Sequence, residues 1–235
     1  MKRFALLIVC LLAFACTKKE VGIDSTATLG LDYYPLTAGK FVIYQVDSTV
    51  FTEIPKDTIN YNYQLKEVIA DNFTDATGAL THRLERYVRT KTGSSNYTAW
   101  RLFDVWAVRA TNAAIEIQES NVRYTRLTFP VQKNSIWNGN AANTLGSQDF
   151  SYDYVNQAET IDSSSLTAVA KVIESDNVNL IEAHQSFKKY AKGVGLVYAE
   201  HNNVKGNNIV PGKSVFERIE SGLRYKQVLI SYGIQ

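Results

Sequence analysis

Ile115-Glu116-Ile117-Gln118 alternates apolar with polar side chains at every step, and that period of two sets the fold class. Successive side chains of an extended chain point to opposite faces, so the run describes a strand with one face buried. The same pattern spreads outward along the chain. Val42, Tyr44 and Val46 share one face, and Leu102, Asp104, Trp106 and Val108 share another. Leu166, Ala168, Ala170 and Val172 follow it, as do Val194, Leu196 and Tyr198. Leu223 and Tyr225, beside Val228, Ile230 and Tyr232, close the series. Short β-branched and aromatic runs of this kind predict strands near 40–53, 58–70, 80–91, 97–110, 113–119, 122–129, 149–155, 166–176, 180–191, 194–201, 214–220 and 223–232. The expected fold class is mainly β, with little helix. Its form is an antiparallel, strongly curved sheet, barrel or sandwich of about ten strands.

Turn chemistry separates these runs: Asp75-Ala76-Thr77-Gly78, Asn138-Gly139-Asn140, Asn202-Asn203 and Gly206-Asn207-Asn208 hold residues that tolerate left-handed backbone or bond to it locally. Ile181, His184 and Ala191 follow helical spacing, yet Gly193 and Gly195 come directly after them and favour a strand. Pro35-Leu36 followed by Gly39 and Phe41 has an echo in Pro130-Val131 followed by Asn134 and Ile136-Trp137. The echo reads either as two related halves, near 33–125 and 126–235, or as two similar turns leading into strands.

Composition bounds the rest. With 45% hydrophobic and 20% charged residues, 13 Gly and 4 Pro among 235, the chain is neither disordered nor collagenous. Lys2 and Arg3 precede an apolar run from Phe4 to Ala15 that is too short to span a bilayer, which takes about 20 residues. Residues 1–15 therefore read as a signal peptide. Both cysteines, Cys10 and Cys16, fall in or beside this segment, so the mature domain has no disulfide and must rely on its core. Residues 16–32 read as a tether, and 33–235 as a single β-rich domain.

Leu12-Ala13-Phe14-Ala15-Cys16 resembles the lipobox of bacterial lipoproteins, in which signal peptidase II cuts before a diacylated Cys. The resemblance implies lipidation at Cys16 and anchoring by palmitate-class acyl chains. Tyr33-Tyr34-Pro35-Leu36-Thr37-Ala38-Gly39-Lys40-Phe41-Val42-Ile43-Tyr44 resembles the opening strand, and Tyr190-Ala191-Lys192-Gly193-Val194-Gly195-Leu196-Val197-Tyr198-Ala199-Glu200 a late strand, of β-rich cell-envelope lipoproteins of Gram-negative bacteria. That likeness implies a curved antiparallel sheet and an envelope address, and it implies no activity. No acidic run follows Cys16 in Thr17-Lys18-Lys19-Glu20, which points to the outer membrane without choosing a side.

Charge removes another class. Loss of Lys2 and Arg3 leaves the basic residues equal in number to the 23 acidic ones, so the basic face that a nucleic-acid partner requires is not expected. The sequence has no Gly-x-Ser-x-Gly elbow, phosphate-binding loop or His-Glu-x-x-His. His82, His184 and His201 show no ligand spacing, so neither a metal nor another cofactor is expected. Glu116 with Glu119, or Asp149 with Asp153, are the carboxylate pairs available for glycoside hydrolysis.

The aromatic residues are the stronger lead, with 14 Tyr, 10 Phe and 3 Trp. Their apolar bodies and polar tips suit a binding surface. Trp100, Trp106 and Tyr124 are the candidate ligand-binding residues, with both Trp expected on one strand face. Asp24-Ser25-Thr26, Asp47-Ser48-Thr49 and Asp57-Thr58-Ile59 resemble a bacterial O-glycosylation sequon, nominating Ser25, Ser48 and Thr58. The functional expectation is a lipid-anchored, non-catalytic binding module for an apolar or carbohydrate ligand. The alternatives are an interaction subunit of an envelope complex and a hydrolase working through paired carboxylates.

Overall fold

Each alternating run finds its backbone partners in a neighbouring run, and the ladders join into one sheet. The computed structural model describes residues 30–93 and 96–235. Among them are thirteen strands: β1 (Lys40–Thr52), β2 (Asp57–Thr74), β3 (Leu80–Thr92), β4 (Asn96–Tyr97), β5 (Arg101–Ala110), β6 (Ala114–Glu119), β7 (Val122–Thr128), β8 (Ile136–Asn138), β9 (Asp149–Ile161), β10 (Ser164–Val178), β11 (Glu182–Ala191), β12 (Gly195–Lys205) and β13 (Ser221–Ile234). The sheet runs β7-β6-β5-β3-β2-β1-β13-β12-β11-β10-β9-β8, with β4 beside β3. All pairs are antiparallel. The first long strand pairs with the last, from Lys40 opposite Ile234 to Phe51 opposite Gly222.

The curvature brings the ends of this path, β7 and β8, together without a ladder. The Thr125 amide donates to Gly139 O at 2.9 Å, and Trp137 Nε1 donates to Thr125 O at 2.9 Å. Asn143 Nδ2 donates to Arg123 O at 2.8 Å. The Tyr152 hydroxyl accepts from the Thr128 amide at 3.1 Å and donates to its carbonyl at 2.9 Å. The edge of β7 is thus satisfied largely by side chains, which protects it from pairing with another chain.

Alternating strand directions sort the turns to two ends. Turns at 75–79, 111–113, 162–163 and 192–194 lie at one, here the near end; those at 53–56, 120–121 and 179–181 lie at the far end. The chain enters at the near end, where a short 3-10 turn at Leu31–Tyr33 is held by the Gly193 amide donating to Asp32 O at 2.8 Å. Gly30, at φ +114°, brings the backbone so close to Val131 that a Cβ would stand 2.4 Å from its methyl. Tyr33 and Tyr34 are buried there against Ile69, Leu84, Val108, Leu127, Tyr152 and Tyr190, so the entering segment plugs the near end.

A second apolar cluster joins Val42, Tyr44, Val46, Leu65, Val197 and Leu229 to Ile161, Leu166 and Val169 of the β9–β10 hairpin. A small third one, Ala183, Val204 and Val215, lies beside the 206–220 segment at the far end.

Segment 180–191, with its ambiguous periodicity, is the strand β11. Segment 214–220 is no strand: Val215–Glu217 forms a 3-10 turn. The Ser214 amide and hydroxyl both donate to the Glu217 carboxylate, at 2.8 and 2.9 Å, and this Ser-x-x-Glu box overrides the local apolar content. In the two echoed turns, Gly39 and Asn134 both adopt positive φ, +81° and +66°.

Candidate functional site

Above the plug, inside the curve of the sheet, is a cavity of about 320 Å³. Its floor is Tyr34 and Tyr190, whose ring centroids lie 6.2 Å apart. Its walls come from β2, β3, β5, β6, β11, β12 and β13, and Phe103, 58% exposed, stands at its rim.

Pairing explains which side chains reach it. Leu65 and Glu67 are two apart on β2, and Glu67 sits opposite Arg86 of β3. Arg86 Nε donates to Glu67 Oε1 at 2.9 Å. The Tyr44 hydroxyl approaches Glu67 Oε2 at 3.3 Å and donates to Leu196 O at 2.9 Å. The register of β3 and β5 slips between Arg86 and Tyr87, leaving Phe103 unpaired between Asp104 and Leu102 and turning it toward the cavity. Trp106 also lines the cavity; the Arg86 guanidinium lies 3.6 Å from its ring centroid, and its Nε1 donates to Asp104 Oδ2 at 2.6 Å.

The polar groups between this cavity and an adjoining recess form one charged cluster. Arg126 donates through Nε and Nη2 to Glu119 at 2.7 and 2.8 Å, and through Nη1 to Glu174 at 2.8 Å. Glu174 also takes Lys188 Nζ at 3.0 Å and the Ser186 hydroxyl at 2.9 Å. Burial alone would raise the Glu174 carboxyl, but Lys188 and Arg126 outweigh it and hold it at about 2. Glu119 is likewise held below the usual carboxylate range, since Lys188 and Arg126 again outweigh its burial. A general acid at neutral pH needs the opposite shift. Tyr34 and Tyr190 are pushed well up by burial and stay neutral phenols.

Of the residues nominated from the sequence, Trp106 lines the cavity and Tyr124 lines an adjoining recess, where the Arg126 guanidinium lies 4.3 Å from its ring centroid. Trp100 is not with them. It precedes β5, with Arg89 4.3 Å and Lys66 5.6 Å from its ring centroid. Lys66 alternates with the cavity-lining Glu67, so Trp100 belongs to the other face. The one-residue slip at Phe103 breaks the parity that had placed both Trp together.

Ser48 lies within β1 opposite Tyr225 and Tyr61, whereas Thr58 is exposed near the β1–β2 turn. Cys16 and Ser25 lie outside the described residues.

The anticipated carboxylate pairs do not converge on the cavity. Glu116 and Glu119 are three apart on one strand and so face opposite sides; Glu116 instead stands 3.8 Å from Arg123. Asp153 is engaged by Lys171 at 2.9 Å. Among the described residues no three His, Cys, Asp or Glu side chains gather as metal ligands.

Glu67, Arg86, Lys188, Phe103, Tyr225 and Gln227 were not anticipated. Leu65-x-Glu67-x-Ile69 carried a readable signal, a carboxylate at an inward position between two apolar residues.

No known protein-family model and no curated protein matches the chain. Among solved structures it is similar to a protein assigned as exported, with a YmcC-like fold, from Bacteroides fragilis. That match has 9% identity and a TM-score of 0.44 over 85% of this chain and 98% of the other. It is also similar to a protein assigned as a lipoprotein from Parabacteroides distasonis, at 12% identity and a TM-score of 0.37 over 86% and 98%. Likenesses this distant leave the function to the site itself.

Proposed function

We propose that this chain is an exported lipoprotein, anchored through Cys16 in a Gram-negative cell envelope, whose curved sheet binds a neutral carbohydrate in its interior cavity. The anchor rests on the signal-like segment and the lipobox resemblance. The observation that carries the binding reading is one cavity of about 320 Å³ combining aromatic walls with polar groups whose charges balance.

The ligand class follows from that balance. Glu67, Glu119 and Glu174 are matched by Arg86, Arg126 and Lys188, all within one connected interior. An ionic ligand would have to break one of these pairs. A wholly apolar ligand would take charged groups out of water and give them nothing back. A sugar presents hydroxyls to carboxylate, ammonium and amide groups, and apolar C–H faces to Trp106, Tyr63 and Tyr225. A volume of about 320 Å³ lies within the range of small-molecule sites, roughly 300 to 1,000 Å³.

The test is a glycan array of neutral and charged sugars, probed with residues 30–235 and with the Trp106→Ala variant. Neutral glycans bound by the wild type and lost in the variant, which keeps the wild-type strand content by circular dichroism at a lower melting temperature, are expected. No glycan bound, or binding indifferent to Trp106, overturns the reading.

A further inference from the structure

The cavity is one half of a longer trough. A second recess of about 320 Å³ adjoins it, lined by Tyr124, Phe150, Gln148, Ser186 and His201. Lys188, Ala199 and Tyr225 line both recesses and form the saddle between them.

Strand directions orient the trough. On β11, Tyr190 lies toward the near end, Lys188 next, and Ser186 toward the far end; on β13, Gln227 lies deeper than Tyr225. The first recess therefore rests on the plug, and the second lies toward the far end, away from where the tether enters.

One polar group in this space has no partner. Gln227 is 3% exposed and lines the first recess, and its Oε1 accepts from the Tyr225 hydroxyl at 2.7 Å. Its Nε2 finds no hydrogen-bond partner among the described residues. A buried amide left unmatched is costly, on the order of 1 to 3 kcal/mol, and Gln227 bears this cost directly in the wall of the recess.

We infer that the trough takes a chain of at least two linked sugar rings, one in the Trp106 recess beside Gln227 and the next across Lys188 and Tyr225 in the His201 recess. This rests on the carbohydrate reading and adds length and direction to it: the chain lies along the strands, with its outer end leaving at the far end. A single ring would leave the second recess to water.

The test is calorimetric titration of the mature chain in detergent with gluco-, manno- and N-acetylglucosamine oligosaccharides of one to four units. Affinity is expected to rise at least tenfold from one unit to two or three and then level off. His201→Ala, at an exposed position, should flatten that rise. Gln227→Leu should weaken every length. Equal affinity for one and three units overturns the trough and leaves a single-ring site standing. A failure of every series at every length overturns the trough and the carbohydrate reading together.

Discussion

Arg126 and Glu174 meet at 2.8 Å although they sit near opposite ends of the sheet path, on β7 and β10. Each is 8% exposed at the side chain, so the pair is an interior fastener across the seam where the curved sheet closes on itself. Its partners Glu119 and Lys188 tie β6 and β11 into the same cluster.

Removing Glu174 should be costly, because Arg126 keeps Glu119 but Lys188 loses its carboxylate, leaving one positive charge in excess in the interior. Glu174→Leu is expected to lower unfolding free energy by about 3 to 5 kcal/mol in urea titration. The double change Arg126→Met with Glu174→Leu should cost clearly less than the sum of the singles. Strict additivity would show that the two charges do not act as a unit.

Acid should weaken the same cluster in a defined window. Glu174 sits at about 2 in the fold against an ordinary 4.5, and Glu119 is lowered too. Groups depressed in the folded state contribute stability above the unfolded value, and that contribution is lost as pH falls toward the folded one. Unfolding free energy should therefore drop from about pH 4.5 toward pH 2, and more gently in Glu174→Gln. A wild-type profile that stays flat across that range would show the carboxylates are not held as described.

The seam offers a local test. Trp137→Phe keeps an aromatic ring, though a smaller one, and removes the 2.9 Å bond to Thr125 O, leaving that carbonyl short of a partner. The expected cost is about 1 to 3 kcal/mol. Hydrogen exchange should quicken at Thr125 and Thr128 while the central β1–β13 ladder stays protected. Uniform quickening over the whole sheet would mean the seam is not a separate unit of closure.

Much of this architecture was legible in the chain, and the exceptions have physical causes. Alternation located most of the long strands because each buries one face. β4 and β8, with two and three residues, are too short to display a period. β9 runs on to Ile161 through the polar Asn156-Gln157, a stretch held by pairing with β10 rather than by its own pattern. Trp106 could be nominated as a large aromatic on an apolar face. Lys188 and Gln227 could not, because alternation assigns polar side chains to solvent, and only curvature turns this face into an interior. Trp100 was misplaced by a single slipped residue, which no periodicity announces.

Lipidation is tested at its own residue. Intact-mass spectrometry of the host membrane fraction should find two or three acyl chains on the protein, absent in Cys16→Ala. A soluble, unacylated wild type would remove the anchor from the account and leave the cavity's reading unaffected.

The three Trp residues, at 100, 106 and 137, report from the other face, the cavity and the seam. Fluorine NMR of residues 30–235 labelled with 5-fluorotryptophan, titrated with neutral gluco-, manno- and N-acetylglucosamine trisaccharides, reads all three at once. Single-Trp replacements assign the signals. A saturable shift confined to Trp106 is the predicted result. A Trp106 signal that no trisaccharide moves, or a response at Trp100 alone, would contradict ligand binding inside the curved sheet.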